Sequence, residues 1–226
     1  MCIRDSEGDY TTNEFVLTLP GATVELVYIS GSAPALFRAR VDEGYLEAEL
    51  DPSTNVWTVW DVSGLRYKLG DEASARVFKG NDVLMDAPSC SFTTRWGLTE
   101  VRDPNGNTIE YAYVKDSNTL YLDEIVYGGN RDNTDSLLIE HPFKVSFDRS
   151  ARPRSRVSFG SGVESWLNLQ VDEIDVWYRP DTTTASQLLR TYSLNYTTSA
   201  TGEHLLLDSV DLPGAPSADV AHRELQ

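Results

Sequence analysis

Paired carboxylates are the first residues in this sequence whose types and spacing could support chemistry. They occur at Asp123-Glu124 and at Asp172-Glu173, with Asp175 two residues further on. Two carboxyl groups roughly 5–10 Å apart across a cleft are what glycoside hydrolysis requires. Adjacent residues of a strand point to opposite faces, however, so we interpret these pairs as solvated charges.

Nucleophiles and metal ligands are sparse. None of the three histidines, His141, His204 and His222, has a partner at the spacing of a zinc site. Cys90 lies between two serines without a nearby histidine, and Gly160-Ser161-Gly162 lacks the spacing of a nucleophile elbow. We therefore expect no catalytic residue, no metal site and no cofactor, and predict that the chain is not an enzyme.

One segment imitates a calcium-binding loop. It has the spacing Asp103-x-Asn105-x-Asn107, but Gly106 is its fourth residue. An EF-hand loop instead places Gly at the sixth position and Glu at the twelfth. Tight-turn chemistry accounts for all these residues. A weak calcium site at Asp103–Asn107 stays open as an alternative.

Tryptophans offer a further kind of site, because exposed coplanar rings can bind sugars. Tryptophans at strand positions more often pack in the core or at its rim. The five residues are Trp57, Trp60, Trp96, Trp166 and Trp177.

The composition excludes several classes of function. The formal net charge of −16 repels phosphate backbones and anionic membrane surfaces, so nucleic-acid binding is not expected. No apolar run approaches the roughly 18 residues of a membrane span. Cys2 lies in a leader that does not read as native protein, which leaves Cys90 without a disulfide partner.

The elements that would position these residues are strands. Apolar residues alternate with period two, as in Phe143, Val145 and Phe147, and turn-forming segments such as Asp103–Asn107 separate the runs. This pattern predicts an all-β fold of about fourteen short antiparallel strands, arranged as a meander, an open arc, a barrel-like sheet or sandwich-like sheets. Residues 71–78 are the one candidate for a short helix.

Two segments resemble copies of one hairpin unit. Residues 57–67 and 101–111 each place Val two residues before an Asp, Gly three residues after it and Tyr soon beyond. An Asp that initiates a turn, with Gly at the strained position, gives this spacing a physical reason. The two copies predict a repeated strand–turn–strand architecture.

We divide the chain into three parts. Residues 1–6 are interpreted as a non-native leader, residues 7–212 as one β-rich segment and residues 213–226 as a linker or truncated tail. Within the β-rich segment, the polar stretches 130–136 and 180–186 are predicted to be exposed loops.

Residues 96–113 carry a resemblance to known families. Their sequence is similar to the pattern W-x-L-T-x-I-x-D-x-N-G-N-x-I-x-Y-x-Y of SpvB-type and Tc-toxin B proteins, and its second half resembles the YD-repeat of RHS proteins. Flanking motifs, including Arg152-Pro153, follow in the family's order over residues 45–212. Two positions depart from the pattern: Leu69 replaces an aromatic residue, and Arg154 replaces an acid.

The resemblance implies a non-catalytic scaffold segment of a large secreted bacterial toxin-type protein. In such proteins strands wind into a β-shell around a C-terminal effector, so the expected partners are the rest of the same polypeptide or toxin-complex subunits. A carbohydrate-binding or adhesion module of a secreted protein is the alternative. The residues expected to shape the hairpin and the wall are Asp103, Asn105, Gly106, Asn107, Trp96, Tyr111, Tyr113, Tyr127, Tyr192 and Tyr196.

Overall fold

The structure is a computed structural model that describes most of the 226 residues. The described ranges are 15–19, 22–41, 45–79, 92–159, 163–180, 183–202 and 204–212. The predicted leader at residues 1–6 and the predicted tail at residues 213–226 lie outside these ranges, as do Cys2, Cys90, Ser161 and His222.

The described residues form sixteen β-strands and no α-helix, which confirms the predicted all-β class. The first eight strands are β1 (Phe15–Leu19), β2 (Ala22–Ser30), β3 (Ala35–Ala39), β4 (Glu47–Asp51), β5 (Val56–Trp60), β6 (Arg66–Leu69), β7 (Arg76–Lys79) and β8 (Phe92–Trp96). The remaining strands are β9 (Leu98–Arg102), β10 (Asn107–Asp116), β11 (Thr119–Arg131), β12 (Leu137–Ile139), β13 (Phe143–Ser158), β14 (Ser165–Tyr178), β15 (Gln187–Thr198) and β16 (Leu205–Asp211).

Fourteen of these strands form one antiparallel sheet that follows the order of the chain. Its order is β1-β2-β3-β4-β5-β6-β9-β10-β11-β13-β14-β15-β16, with β12 paired to β11. The sheet is open, because β1 and β16 stand at opposite ends of this order. The predicted meander and open arc are therefore present, whereas the sandwich-like alternative is not the arrangement of the described strands.

The excursion between β6 and β9 corrects the helix expected at residues 71–78. Only Ala73–Ala75 forms a single 3₁₀ turn, and the following residues extend into β7, which pairs with β8 as a separate hairpin. Val77, in β7, is 2% exposed. A short apolar run does not by itself distinguish a helix from a strand, and here pairing with β8 favours the strand.

The core lies on one face of the N-terminal half of the sheet. Phe37, Leu50 and Val59 are almost fully buried there, and Trp57 packs edge-on against Trp96 at the end of β8. The Trp96 indole nitrogen also donates to Asn55, through the backbone oxygen and the side-chain oxygen at 3.1 Å each. The β7–β8 hairpin is thereby anchored to this face through its last residue.

The C-terminal half is a sheet of long strands with little buried surface. Strands β10, β11, β13, β14 and β15 have 10 to 16 residues each. A strand of 16 residues extends over roughly 50 Å. From β13 onward, Val163 is the one buried hydrophobic residue in the described ranges, and apolar side chains such as Leu188, Leu207 and Val210 are about half exposed.

Candidate functional site

Three turns of the same construction lie at the junctions β5–β6, β9–β10 and β11–β12. In each, the side chain of a leading Asp accepts the backbone N–H groups two and four residues further on. The backbone N–H of the same Asp donates to the carbonyl oxygen of the fifth residue. The backbone N–H of the fourth residue donates to the carbonyl oxygen of the Asp. The three turns are Asp61–Leu65, Asp103–Asn107 and Asp132–Ser136.

The first two of these turns belong to the two segments predicted to be copies of one unit. Gly64 and Gly106 occupy the fourth position with φ values of 81° and 87°, as the Asp–Gly spacing indicated. The third turn was missed because Asp135 takes this position, with a φ value of 64°. Asp tolerates the left-handed region better than most residues, so the Gly signal was absent.

The Asp103 carboxylate accepts three hydrogen bonds within its own turn, which bears on the calcium alternative. One oxygen accepts the backbone N–H groups of Asn105 and Asn107, and the other accepts the Asn107 side-chain amide at 2.7 Å. The amide hydrogen bond, opposed by slight burial and aided by the backbone N–H groups, lowers the pKa of Asp103. These contacts are those of a tight turn, and the weak calcium site stays a prediction.

The turns meet each other along one rim of the sheet. A Cβ atom on Gly64 would lie 3.1 Å from the Pro104 side chain, and one on Gly106 would lie 2.2 Å from the Arg131 carbonyl oxygen. The Arg131 backbone N–H also donates to the Gly106 carbonyl at 2.9 Å. Gly106 is therefore needed both for its positive φ and for the close approach of the next turn.

Beside this rim lies an ion-pair network that the sequence did not predict. It joins four cations to three carboxylates from strands β6, β9, β10 and β11 and from the third turn. Its members are Arg66, Lys68, Arg102, Arg131, Glu100, Glu110 and Asp135. The side chains of Glu100 and Arg102 are each only 10% exposed.

Arg102 holds the third turn onto the sheet. Its guanidinium pairs with the Asp135 carboxylate and donates to the carbonyl oxygens of Arg131 and Asp132, at 3.2 and 2.6 Å. Burial would raise the pKa of Asp135, but the hydrogen bond from Arg66 and the nearby positive charges outweigh it and lower that pKa. Asp135 therefore stays ionised and connects β6 and β9 to the turn.

Of the two histidines that the structure describes, His141 has the more enclosed side chain. Its side chain is 8% exposed, and Nε2 lies 2.9 Å from the Thr108 hydroxyl and 3.7 Å from Glu110. The ring packs on Gly129, where any Cβ atom would lie 2.6 Å from it. His141 thus joins the edge of the network as a packed, hydrogen-bonded side chain, whereas His204 is exposed in the β15–β16 turn.

The predicted carboxylate pairs are separated by the strands. Asp123 pairs with Arg149, and Glu124 pairs with Lys144 at 3.2 Å. Glu173 and Asp175 share one face with Asp148 of β13, a residue outside the predicted pairs. Their ligand oxygens lie within 4.8 Å of one another, but two of the three residues are exposed, and an acidic cluster of this kind is common without a bound ion.

The electrostatics do not resemble those of an acid–base pair. Within the described ranges, every resolved carboxyl pKa shift is downward, at Asp51, Asp61, Asp103, Asp132 and Asp135. A general acid needs a raised carboxyl pKa. A recess of about 360 Å³ opens beside the network, and Glu100, Glu110 and Asp135 of its lining are already paired with cations.

Trp57 and Trp96 do not form a flat platform, and Trp60, at the end of β5, is half-buried. Trp57 is buried and crosses Trp96 at 86°. Trp177 donates to Ser146 at 3.0 Å beneath the Lys144 ammonium, and Trp166, 38% exposed, donates to Glu164. These positions match packing at the core and rim, which was the favoured interpretation.

The predicted wall aromatics are half-buried along the sheet. The Tyr113 hydroxyl donates to the Leu98 carbonyl and the Tyr196 hydroxyl to the Val171 carbonyl, at 2.9 and 2.7 Å. Tyr127 stacks on Phe143 with ring centroids 5.2 Å apart, and burial raises the pKa of Tyr111. Tyr192 accepts a hydrogen bond from Arg190. Tyr113, Tyr127 and Tyr196 thus connect neighbouring strands, whereas Tyr192 contacts a residue of its own strand, β15.

Comparisons with solved structures identify the fold. The structure of the N-terminal domain of effector protein SpvB from Salmonella typhimurium strain LT2 matches with a TM-score of 0.61 at 17% identity, over 84% of this chain and 69% of that one. The crystal structure of TcdB2-TccC3-Cdc42 matches with a TM-score of 0.54 at 15% identity, over 88% of this chain and 12% of that one. This chain has an SpvB- and Tc-toxin-like fold.

A third match is the structure of the Photorhabdus luminescens Tc holotoxin pore, with a TM-score of 0.55 at 17% identity, over 83% of this chain and 11% of that one. The chain thus spans about a tenth of the Tc chains. No protein-family model and no curated protein matches the sequence. The YD-repeat resemblance stays a prediction, because these matches concern the SpvB and Tc structures.

None of the described segments forms a helix long and apolar enough to cross a membrane.

Proposed function

We propose that this chain is a non-catalytic scaffold segment of a large secreted bacterial toxin-type protein of the SpvB and Tc B kind. In this role it forms part of a β-shell wall that encloses or presents a C-terminal effector. Its partners are the rest of the same polypeptide or the other subunits of a toxin complex.

The observation that carries the proposal is the open sheet in chain order. Thirteen strands follow one another in the sheet, interrupted only by the β7–β8 hairpin and the short β12. The long C-terminal strands bury little of their apolar surface, and β16 leaves one backbone edge without a described neighbour. Such an edge is a site for pairing with a further strand, which a wall segment requires.

The state of the charged groups supports a structural role. Glu100 and Glu110, whose side chains are 10% and 31% exposed, bind Arg66 and Arg131 across neighbouring strands at 2.7 and 2.6 Å. Ion pairs that connect four strands and a turn hold the strand register. They also occupy the carboxylates that a hydrolase would keep available.

The fold likeness supports the same role more loosely. SpvB is described as an effector protein, and the Tc chains come from a holotoxin and from TcdB2-TccC3 assemblies. The role as a wall segment, the secretion and the enclosed effector are our proposal for this chain.

The coding sequence on both sides of this segment tests the proposal directly. We expect the reading frame to continue with further strand–turn units and to end in a separate effector domain. A full-length protein consisting of this segment joined only to unrelated enzymatic or sugar-binding domains would contradict the scaffold role.

An activity screen provides an independent test. The purified chain should show no turnover of glycans, esters, peptides or NAD. Glu173→Gln, in the acidic cluster, is the informative variant, and Glu47→Gln, in an exposed ion pair with Arg38, is its control. Turnover that Glu173→Gln abolishes and Glu47→Gln preserves would overturn the proposal.

A further inference from the structure

Strand β13 carries a concentration of positive charge in an acidic protein. Four of the chain's 19 Lys and Arg residues fall within residues 149–156, against a net charge of −16. Arg149 is engaged, because it pairs with Asp123 and donates to the Leu122 carbonyl at 2.7 Å. Arg152, Arg154 and Arg156 have no ion pair among the described residues.

A large bulge carries two of these three arginines out of the sheet. Ala151 pairs with Leu169, whereas the next paired residue of β13, Arg156, pairs with Leu167. Residues 152–155 therefore stand opposite the single residue Asn168, whose backbone N–H donates to the Tyr121 hydroxyl. Bulges redirect side chains away from the regular alternation, and they are common at functional positions.

The bulge forms one wall of a recess of about 200 Å³. The three arginines and Pro153 line it on one side, and Thr198, Gly202, His204 and Leu205 of the β15–β16 turn line it on the other. No carboxylate is among these lining residues. The lining residues that the structure describes therefore carry three positive charges and no negative one, and we call this site the basic recess.

Asp172, an acidic residue of β14, forms no ion pair with these arginines. Burial raises the pKa of Tyr196 most; the Asp172 charge raises it further and the Arg152 charge lowers it. Both charges therefore lie near Tyr196, but they form no ion pair with each other. Three guanidinium groups held near one another repel, so a carboxylate that pairs with them relieves that repulsion. Planar guanidinium groups suit bidentate pairing with carboxylates.

We propose that the basic recess binds an acidic segment of a protein partner, with carboxylates of that segment paired to Arg152, Arg154 and Arg156. The net charge of −16 decides against a long polyanion, because a nucleic acid or sulfated glycan that extends past the recess meets a repulsive surface. A peptide places a few carboxylates in the recess and can continue with neutral residues. This proposal is independent of the scaffold role.

Arg154 is the most informative position. The resemblance to SpvB-type proteins places an acid there, so Arg154→Asp restores the family's charge and removes the attraction. It is exposed and makes no ion pair among the described residues, so its replacement should leave the fold intact. Arg156→Gln is a second variant with a smaller change in charge. The control is Arg38→Gln with Arg40→Gln, which removes two exposed charges from the other half of the sheet.

The experiment is fluorescence anisotropy with a labelled oligoglutamate peptide, using an oligoglutamine peptide of equal length for comparison. The full chain should bind only the acidic peptide at low salt and lose it at about 1 M salt, where the Debye length is about 3 Å. Arg154→Asp should raise the dissociation constant by about tenfold or more and Arg156→Gln by about threefold, while the control stays within about twofold.

Three results would overturn the proposal. The first is an absence of saturable binding to the acidic peptide at low salt. The second is equal affinity in Arg154→Asp and the wild type when both have the same thermal midpoint. The third is tighter, Arg154-dependent binding of a heparin-derived oligosaccharide, which would assign the recess to a sulfated glycan instead.

Discussion

The contact between the second and third Asp turns yields a quantitative prediction for Gly106→Ala. Its control is Gly202→Ala, in the β15–β16 turn. Both glycines have positive φ, at 87° and 69°, but a Cβ atom on Gly202 meets nothing within 4 Å. The control therefore carries only the cost of the left-handed conformation, which is about 1–2 kcal/mol.

Gly106→Ala carries that cost and a collision. Its Cβ atom would lie 2.2 Å from the Arg131 carbonyl oxygen, so the two turns must separate and lose the Arg131-to-Gly106 hydrogen bond. Gly106 is buried, and leaving its carbonyl unpaired adds about 1–3 kcal/mol. For a chain of this size the difference between the variants corresponds to a gap of about 2–12 °C in Tm.

Thermal and urea unfolding followed by near-ultraviolet circular dichroism would measure this gap. Gly64→Ala should fall between the two variants, because its Cβ atom meets only the Pro104 side chain, at 3.1 Å. Equal midpoints for Gly106→Ala and Gly202→Ala would mean that the turns do not touch as described. A Gly106→Ala variant as stable as the wild type would refute the positive φ as well.

Three further predictions follow from the charges and the open edge. Asp103→Ala should lower the free energy of unfolding by about 1 kcal/mol, because the turn N–H groups lose their acceptor, whereas Asp103→Asn should cost less; urea unfolding would check this order. The lowered pKa values of Asp103 and Asp135 mean that the stability they contribute is present above the unfolded pKa near 3.8 and is lost as pH falls through the lower folded values. The Tm should therefore vary little between about pH 7 and pH 5 and should decrease once the pH is below about 4. In Asp135→Asn the decrease of Tm with acid should be shallower; an equally steep decrease would contradict the role of the ionised Asp135. Self-association should increase as salt screens the charge of −16, and Leu207→Lys on the β16 edge should suppress it, whereas Val62→Lys, in a turn, should not. Light scattering that shows a monomer at every salt concentration would contradict pairing through this edge.

Local signals predicted the turns well and the charged network not at all. The spacing of Asp103, Asn105 and Gly106 is enough to define a turn, because each residue acts within its own five-residue segment. Arg66 and Glu100, by contrast, lie 34 positions apart and meet only because β9 pairs with β6 across the β7–β8 excursion. Alternating charges on a strand look solvent-facing until that register is known.

Two smaller errors concern the number of strands and the helix expected at residues 71–78. The strand count was too low because short segments such as β12, with three exposed residues, carry no alternating pattern. The prediction of a helix at residues 71–78 was wrong because part of this segment forms β7, whose partner strand β8 follows only after a long intervening segment. For the helix, the deciding contact with β8 was distant in sequence, where propensity carries little information. Strand β12 instead pairs nearby, as Arg131 with Leu137, and was missed only because it is too short to show a pattern.

Strand order has a consequence for how this chain folds during synthesis. Nearly every strand pairs with a strand that is its immediate neighbour in sequence, so each hairpin can close as soon as its second strand leaves the ribosome. Closing such short loops costs little entropy, and contacts between near neighbours favour fast folding. The exceptions are the pairing of β11 with β13, across the short β12, and the pairing of β6 with β9. The β6–β9 pairing must wait for some thirty residues and should therefore limit the rate at which the two halves join. A pause in translation within that interval would leave strands β1 to β6 of the N-terminal core in place but without Trp96 packed on them, and the network would be unformed.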